Sequence, residues 1–109
     1  MLEQKKVGDY IVLYLSGRLD VHLSSSIEKD IEEIIKKNPE TNLLINLEDV
    51  EYMSSSGLRI LVATMRILKE KNLTLRLCGL NSAVSKVFEV VELMDMFEVF
   101  PNEEKALDA

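Results

Sequence analysis

Continuous apolar runs alternate along this chain with apolar stripes at helical spacing. Residues 2–7 read as a short strand, and Gly8-Asp9 as the turn that folds it back. Tyr10-Ile11-Val12-Leu13-Tyr14-Leu15 has no charged position, which predicts a strand buried on both faces and closed by Ser16-Gly17. Ser24-Ser25-Ser26 offers capping hydroxyls, with Ser25 and Glu28 at capping-box spacing, ahead of a helix of about three to four turns. Its stripe is Leu23, Ile27, Ile31, Ile34 and Ile35. Asn38-Pro39 stops it, because proline cannot continue the hydrogen-bond ladder.

Leu43-Leu44-Ile45-Asn46-Leu47 is a second buried strand. The charged stretch after it, residues 48–56, reads as an acidic loop ending in three serines that can cap the next helix. That helix is expected from Ser56 or Gly57 to Lys71, with an apolar arc wide enough to pack deeply on a sheet. Leu73-Thr74-Leu75-Arg76-Leu77-Cys78 is a third core strand, closed by Gly79. Asn81 or Ser82 can cap a third helix with Ala83, Val84, Val87, Phe88 and Val91 inward. Residues 97–100 suggest an edge strand, and residues 102–109 a polar tail with a helical turn or two. The order β-β-α-β-α-β-α-β predicts an α/β fold: one domain over residues 1–109, with a mostly parallel mixed β-sheet, an opening antiparallel hairpin and about three to four α-helices.

Composition narrows the function classes. With 47% of its residues apolar, the chain can bury a real core, which argues against global disorder. Nineteen acidic against thirteen basic residues leave a formal charge of −6, so no nucleic acid is expected as partner: phosphate binding rests on Lys/Arg counterion release. The same charge disfavours an anionic membrane, and no apolar run approaches the roughly 20 residues that cross one. A basic or mixed-charge protein surface fits better. One cysteine and one histidine leave no intrachain disulfide and no cysteine or histidine metal cluster, and no cofactor is expected. The start of the chain lacks an apolar signal core, so the expected location is cytoplasmic.

The chemistry concentrates at Ser54-Ser55-Ser56-Gly57. Capping explains one hydroxyl and contributes on the order of 1 kcal/mol; it does not explain three. A phosphoacceptor would place its charge at the positive end of a helix dipole, and Arg59, four residues after Ser55, is at helical spacing for it. Asp20 caps a turn or the first helix, or meets a partner. His22 lacks the matched groups of a catalytic triad, and no Gly-x-Ser-x-Gly elbow is present, so no enzyme activity is expected. Glu48, Asp49 and Glu51 lack calcium-loop spacing and read as solvated acids. Cys78 reads as a core thiol. Met94, Met96 and Phe97 read as core, or else as a partner or dimer surface.

Residues 47–58, ending Met53-Ser54-Ser55-Ser56-Gly57-Leu58, resemble the signature of bacterial anti-sigma factor antagonists, the STAS-domain family. Leu15-Ser16-Gly17-Arg18-Leu19-Asp20 resembles that family's Gly-x-Leu-Asp turn, and Cys78-Gly79-Leu80-Asn81-Ser82-Ala83-Val84 with Phe88 its strand-to-helix segment. The family pattern is Asp-Ser-[Ser/Thr]-Gly-Leu. Ser54 stands at the aspartate, Ser55 at the phosphoacceptor, and Arg59 where close relatives often carry a small residue. The resemblance implies a STAS-like fold and partner switching. The unmodified protein would bind an anti-sigma factor serine kinase of the GHKL type and release a sigma factor. Phosphorylation of Ser55, with Ser54 and Ser56 as alternates, would end that binding, and a PP2C-type phosphatase would restore it. Asp20, Ser54, Ser55, Ser56, Gly57 and Arg59 would form the partner surface. The alternative is a STAS scaffold or transporter accessory subunit, in which the serines only cap a helix.

Overall fold

The run at residues 10–15 becomes the middle of strand β2 (Tyr10–Leu19), which pairs antiparallel with β1 (Glu3–Val7) and parallel with β3 (Asn42–Met53). The computed structural model describes residues 2–90 and 94–109. Strands β4 (Leu75–Cys78) and β5 (Glu98–Phe100) continue the parallel series, giving the order β1-β2-β3-β4-β5. The sheet is mixed, as the alternation of elements predicts. Helices α1 (Val21–Lys37), α2 (Ser55–Glu70) and α3 (Ser82–Val90) follow β2, β3 and β4, and α4 (Glu103–Asp108) follows β5.

Strands laid down in sequential order by crossovers of one hand put every crossover helix on the same face. The core follows that rule. Ile11, Leu13 and Leu15 of β2, with Leu43, Ile45 and Leu47 of β3, pack under apolar residues of α1, α2 and α3. Phe88 of α3 meets Phe97 edge to face, with ring centroids 5.6 Å apart. The intervening positions Val12, Leu44 and Cys78 point the other way and are covered by Ala106 of α4. The expectation that these strands are buried on both faces therefore holds, and the polar tail supplies the second cover.

Three expectations are corrected. The serines at 24–26 do not open the first helix; Asp20 does, so Ser24, Ser25 and Ser26 lie within α1. Residues 48–53 are not a loop, because β3 runs on to Met53. Ala83 faces solvent rather than the core. Val91, expected inward, lies outside the described residues, as does the side chain of Met94. Of that cluster, Phe97 is buried and Met96 is exposed.

The extension of β3 rests on two irregularities. Its register with β2 steps from Tyr14↔Asn46 to Ser16↔Asp49, and from Gly17↔Val50 to Arg18↔Tyr52, so β3 twice gains a residue on its partner. Burial then falls on Leu47, Val50 and Met53, three apart, while Glu48, Asp49 and Glu51 stay exposed. β1 pairs no further than Tyr14, and β4 no further than Asn46. Residues 16–19 and 49–53 thus form a two-stranded ribbon, braced by the Asn81 side-chain amide, which donates to the Val50 carbonyl at 2.7 Å.

Candidate functional site

The ribbon delivers the chain to two helix starts. At the end of β2, the Asp20 carboxylate caps α1, accepting from the backbone amides of Leu23 at 3.0 Å and His22 at 3.1 Å. These bonds, the Leu23 amide first, hold its pKa below the ordinary carboxylate value. At the end of β3, the Ser54 hydroxyl caps α2 by accepting from the Gly57 amide at 3.4 Å. The same hydroxyl donates to the Leu19 carbonyl at 2.8 Å, and the Ser54 amide donates to that carbonyl at 3.0 Å. One carbonyl of β2 therefore fixes where α2 begins.

Gly57 explains how closely the pieces fit. A Cβ there would stand 3.0 Å from the Leu19 Cβ and 3.2 Å from the Leu19 carbonyl oxygen. Its backbone is helical, so close approach, rather than a left-handed conformation, is what asks for glycine.

The three serines are not equivalent. Ser54 is half-buried and bonded on both sides of its hydroxyl. Ser55, the first residue of α2, is exposed, and no hydrogen bond among the described residues engages its hydroxyl. Ser56 is half-buried and lines a cleft of about 210 Å³ between α1 and α2, together with Ser24, Ser25, Glu28 and Arg59. The sequence-predicted residues Asp20, Ser54, Ser55, Ser56, Gly57 and Arg59 thus sit around the adjoining starts of α1 and α2. His22 is exposed beside them and makes no side-chain hydrogen bond among the described residues. Among those residues, no group of three or more His, Cys, Asp or Glu side chains is arranged to hold a metal ion.

Two features here escaped the sequence. The Arg18 guanidinium lies 4.5 Å from the centre of the Tyr52 ring, and Tyr52 and Val21 expose apolar surface near the serines, Val21 lining the cleft with Ser56. Arg18 faces Tyr52 only through the shifted register, which alternation does not reveal. The other is Ser24, buried although it lies in a run read as capping.

Residues 1–106 match the STAS domain. The chain belongs to the STAS domain family. The resemblance carried by the serine signature and the Gly-x-Leu-Asp turn is therefore borne out. This STAS domain is 25% identical over 106 residues to the anti-sigma F factor antagonist of Paenibacillus polymyxa, covering 97% of this chain and 91% of that protein. Among solved structures it is similar to the anti-sigma factor antagonist SpoIIAA in its unphosphorylated form, with a TM-score of 0.83 and 28% identity, covering 99% and 94% of the two chains. SpoIIAA in its phosphorylated form matches with a TM-score of 0.75 and 27% identity, covering 99% and 97%. An anti-sigma-factor antagonist STAS domain protein of Planctomyces limnophilus shares the fold at a TM-score of 0.89 and 20% identity, over 97% and 94% of the chains. Among the described residues no helix is long and apolar enough to cross a membrane.

Proposed function

We propose that this STAS domain is an anti-sigma factor antagonist switched by phosphorylation of Ser55. The observation that carries the reading is the contrast between adjacent hydroxyls: Ser54 is held by the Leu19 carbonyl and the Gly57 amide, while Ser55 is exposed and unengaged at the start of α2. Relatives named as antagonists, one of them known in phosphorylated and unphosphorylated forms, support it.

In the unmodified state, the surface around Ser55 offers the exposed side chains of Val21 and Tyr52 to an anti-sigma factor serine kinase, whose binding frees a sigma factor. Transfer of the ATP γ-phosphoryl to the Ser55 oxygen, with loss of the hydroxyl proton and release of ADP, adds about −1.5 to −2 charges at pH 7. Set in an apolar interface, that charge must be desolvated, and the partner dissociates. A PP2C-type phosphatase would reverse the step. The fold itself need not change, because the charge lies at the positive end of the α2 dipole.

The test is phosphosite mapping by mass spectrometry after incubation with ATP and extract of the source cells. A single phosphate on Ser55, lost in Ser55→Ala, is expected. Modification of Ser54 or Ser56 instead would move the switch. No phosphate on any of the three, with an active kinase control, would sink this reading in favour of a STAS scaffold or transporter accessory subunit.

A further inference from the structure

Helices α1 and α2 both start at the ribbon tip and pack side by side, so their last turns meet at the far end of the pair. There a groove of about 280 Å³ is walled by Ile35 and Ile67, with Glu32, Lys36 and Lys71 around it. Ile35 is buried, Ile67 is half-buried and the three charged residues are exposed. Ile67 lies about 18 Å along α2 from Ser55.

Lysines at a helix C-terminus ordinarily answer its unpaired carbonyls. Here main-chain and asparagine amides already do so. The backbone and side-chain amides of Asn38 donate to the carbonyls of Ile34 and Ile35, and the amides of Leu73 and Asn72 to those of Leu68 and Lys69. Neither Lys36 nor Lys71 makes an ion pair or side-chain hydrogen bond among the described residues. Two ammonium groups are thus left unanswered at the rim of an apolar groove, on a chain whose formal charge is −6.

We propose that this groove docks an acidic segment of a partner protein, with one aliphatic side chain set between Ile35 and Ile67 and carboxylates placed against Lys36 and Lys71. Open to solvent and at the lower limit of ligand pockets in size, the groove suits an anchor side chain better than an enclosed small molecule. A basic segment would bring like charges together at both lysines. Glu32 acts against the carboxylates and holds the affinity down. The distance from Ser55 exceeds a Debye length at physiological salt, so the groove serves the chain in either state of that serine.

The experiment titrates the full chain, labelled at its isoleucine methyls, with a blocked peptide of Glu, Ala and Leu whose leucines recur at helical spacing. The Ile35 and Ile67 signals should shift with a dissociation constant of about 1 mM or tighter, while Ile60, in the cleft at the helix starts, stays still. Replacing both lysines, Lys36→Gln with Lys71→Gln, should weaken binding about fivefold, and Glu32→Gln should tighten it about twofold. Phosphoserine installed at position 55 by codon reassignment should change the constant by less than about twofold.

No shift at Ile35 and Ile67 with about 2 mM peptide, or shifts confined to Ile60, would overturn the docking site. Equal binding of the same peptide with every Glu replaced by Lys would overturn the acidic partner. Shifts of the two methyls with protein concentration alone would make a second copy of this chain the occupant instead. The mapping uses the unaltered chain, so it stands whether or not a variant folds. No kinase takes part, so failure of Ser55 to be phosphorylated in extract would sink the proposed function and leave this result in place.

Discussion

Two neighbouring hydroxyls differ in what holds them. Ser54→Ala loses the α2 cap and the bond to the Leu19 carbonyl, and should cost about 1 kcal/mol in urea unfolding. Ser55→Ala removes an exposed, unengaged group and should change stability by less than about 0.5 kcal/mol while abolishing phosphorylation. Ser54→Asp restores the family's aspartate. A carboxylate caps as well as serine, but it cannot donate to the Leu19 carbonyl and would set two acceptors face to face. The variant should be less stable than wild type in the same titration. Gly57→Ala should also destabilise, by about 1–3 kcal/mol, although alanine is the better helix former, because its Cβ would press on Leu19. The position of these residues at a helix start was legible in the sequence. The part played by Leu19 was not, because a main-chain carbonyl 35 residues away leaves no mark in composition or spacing.

At the scale of elements, legibility followed regular periodicity and failed where that periodicity broke. The runs at 10–15 and 43–47 announced buried strands, and the stripe of isoleucines announced α1. The bulges in β3 place its buried residues three apart, so a strand carrying Glu48, Asp49 and Glu51 reads as a loop. The start of α1 was missed for a related reason: Val21 is exposed, so the apolar stripe begins after the helix does. The tail also hid its role. Glu103 of α4 accepts from the Tyr14 hydroxyl at 2.7 Å and the Asn46 amide at 3.3 Å and pairs with Lys5 at 2.9 Å, while Arg76 donates to the Ala106 carbonyl at 2.8 Å. Together they hold α4 over Cys78, whose thiol burial pushes up to about 12. Cys78 should therefore resist a thiol reagent at pH 8 in the native protein. Glu103→Ala should speed its labelling several-fold by loosening α4, which timed labelling followed by mass spectrometry would check.

For the molecule as a whole, the same clasp sets the acid limit of stability. Burial alone would push the Glu103 carboxyl up; hydrogen bonds from Lys5, Tyr14 and Asn46 outweigh it and leave the pKa below its ordinary 4.5. Asp20 is lowered as well, by the Leu23 and His22 amides. Groups lowered on folding bind fewer protons in the native state, so their stabilisation is complete above the unfolded values and fades as pH falls through the folded ones. The thermal midpoint should be nearly level between about pH 6 and 8 and drop below about pH 4.5, with a shallower drop in Glu103→Gln.

The two-stranded ribbon has a mechanical consequence. Residues 16–19 and 49–53 reach beyond their sheet neighbours and carry the starts of α1 and α2 at their tip, so the ribbon is a cantilever with its root at Tyr14 and Asn46. The Asn81 amide ties it to the start of α3, and Leu19, Val50 and Met53 bury its underside in the core.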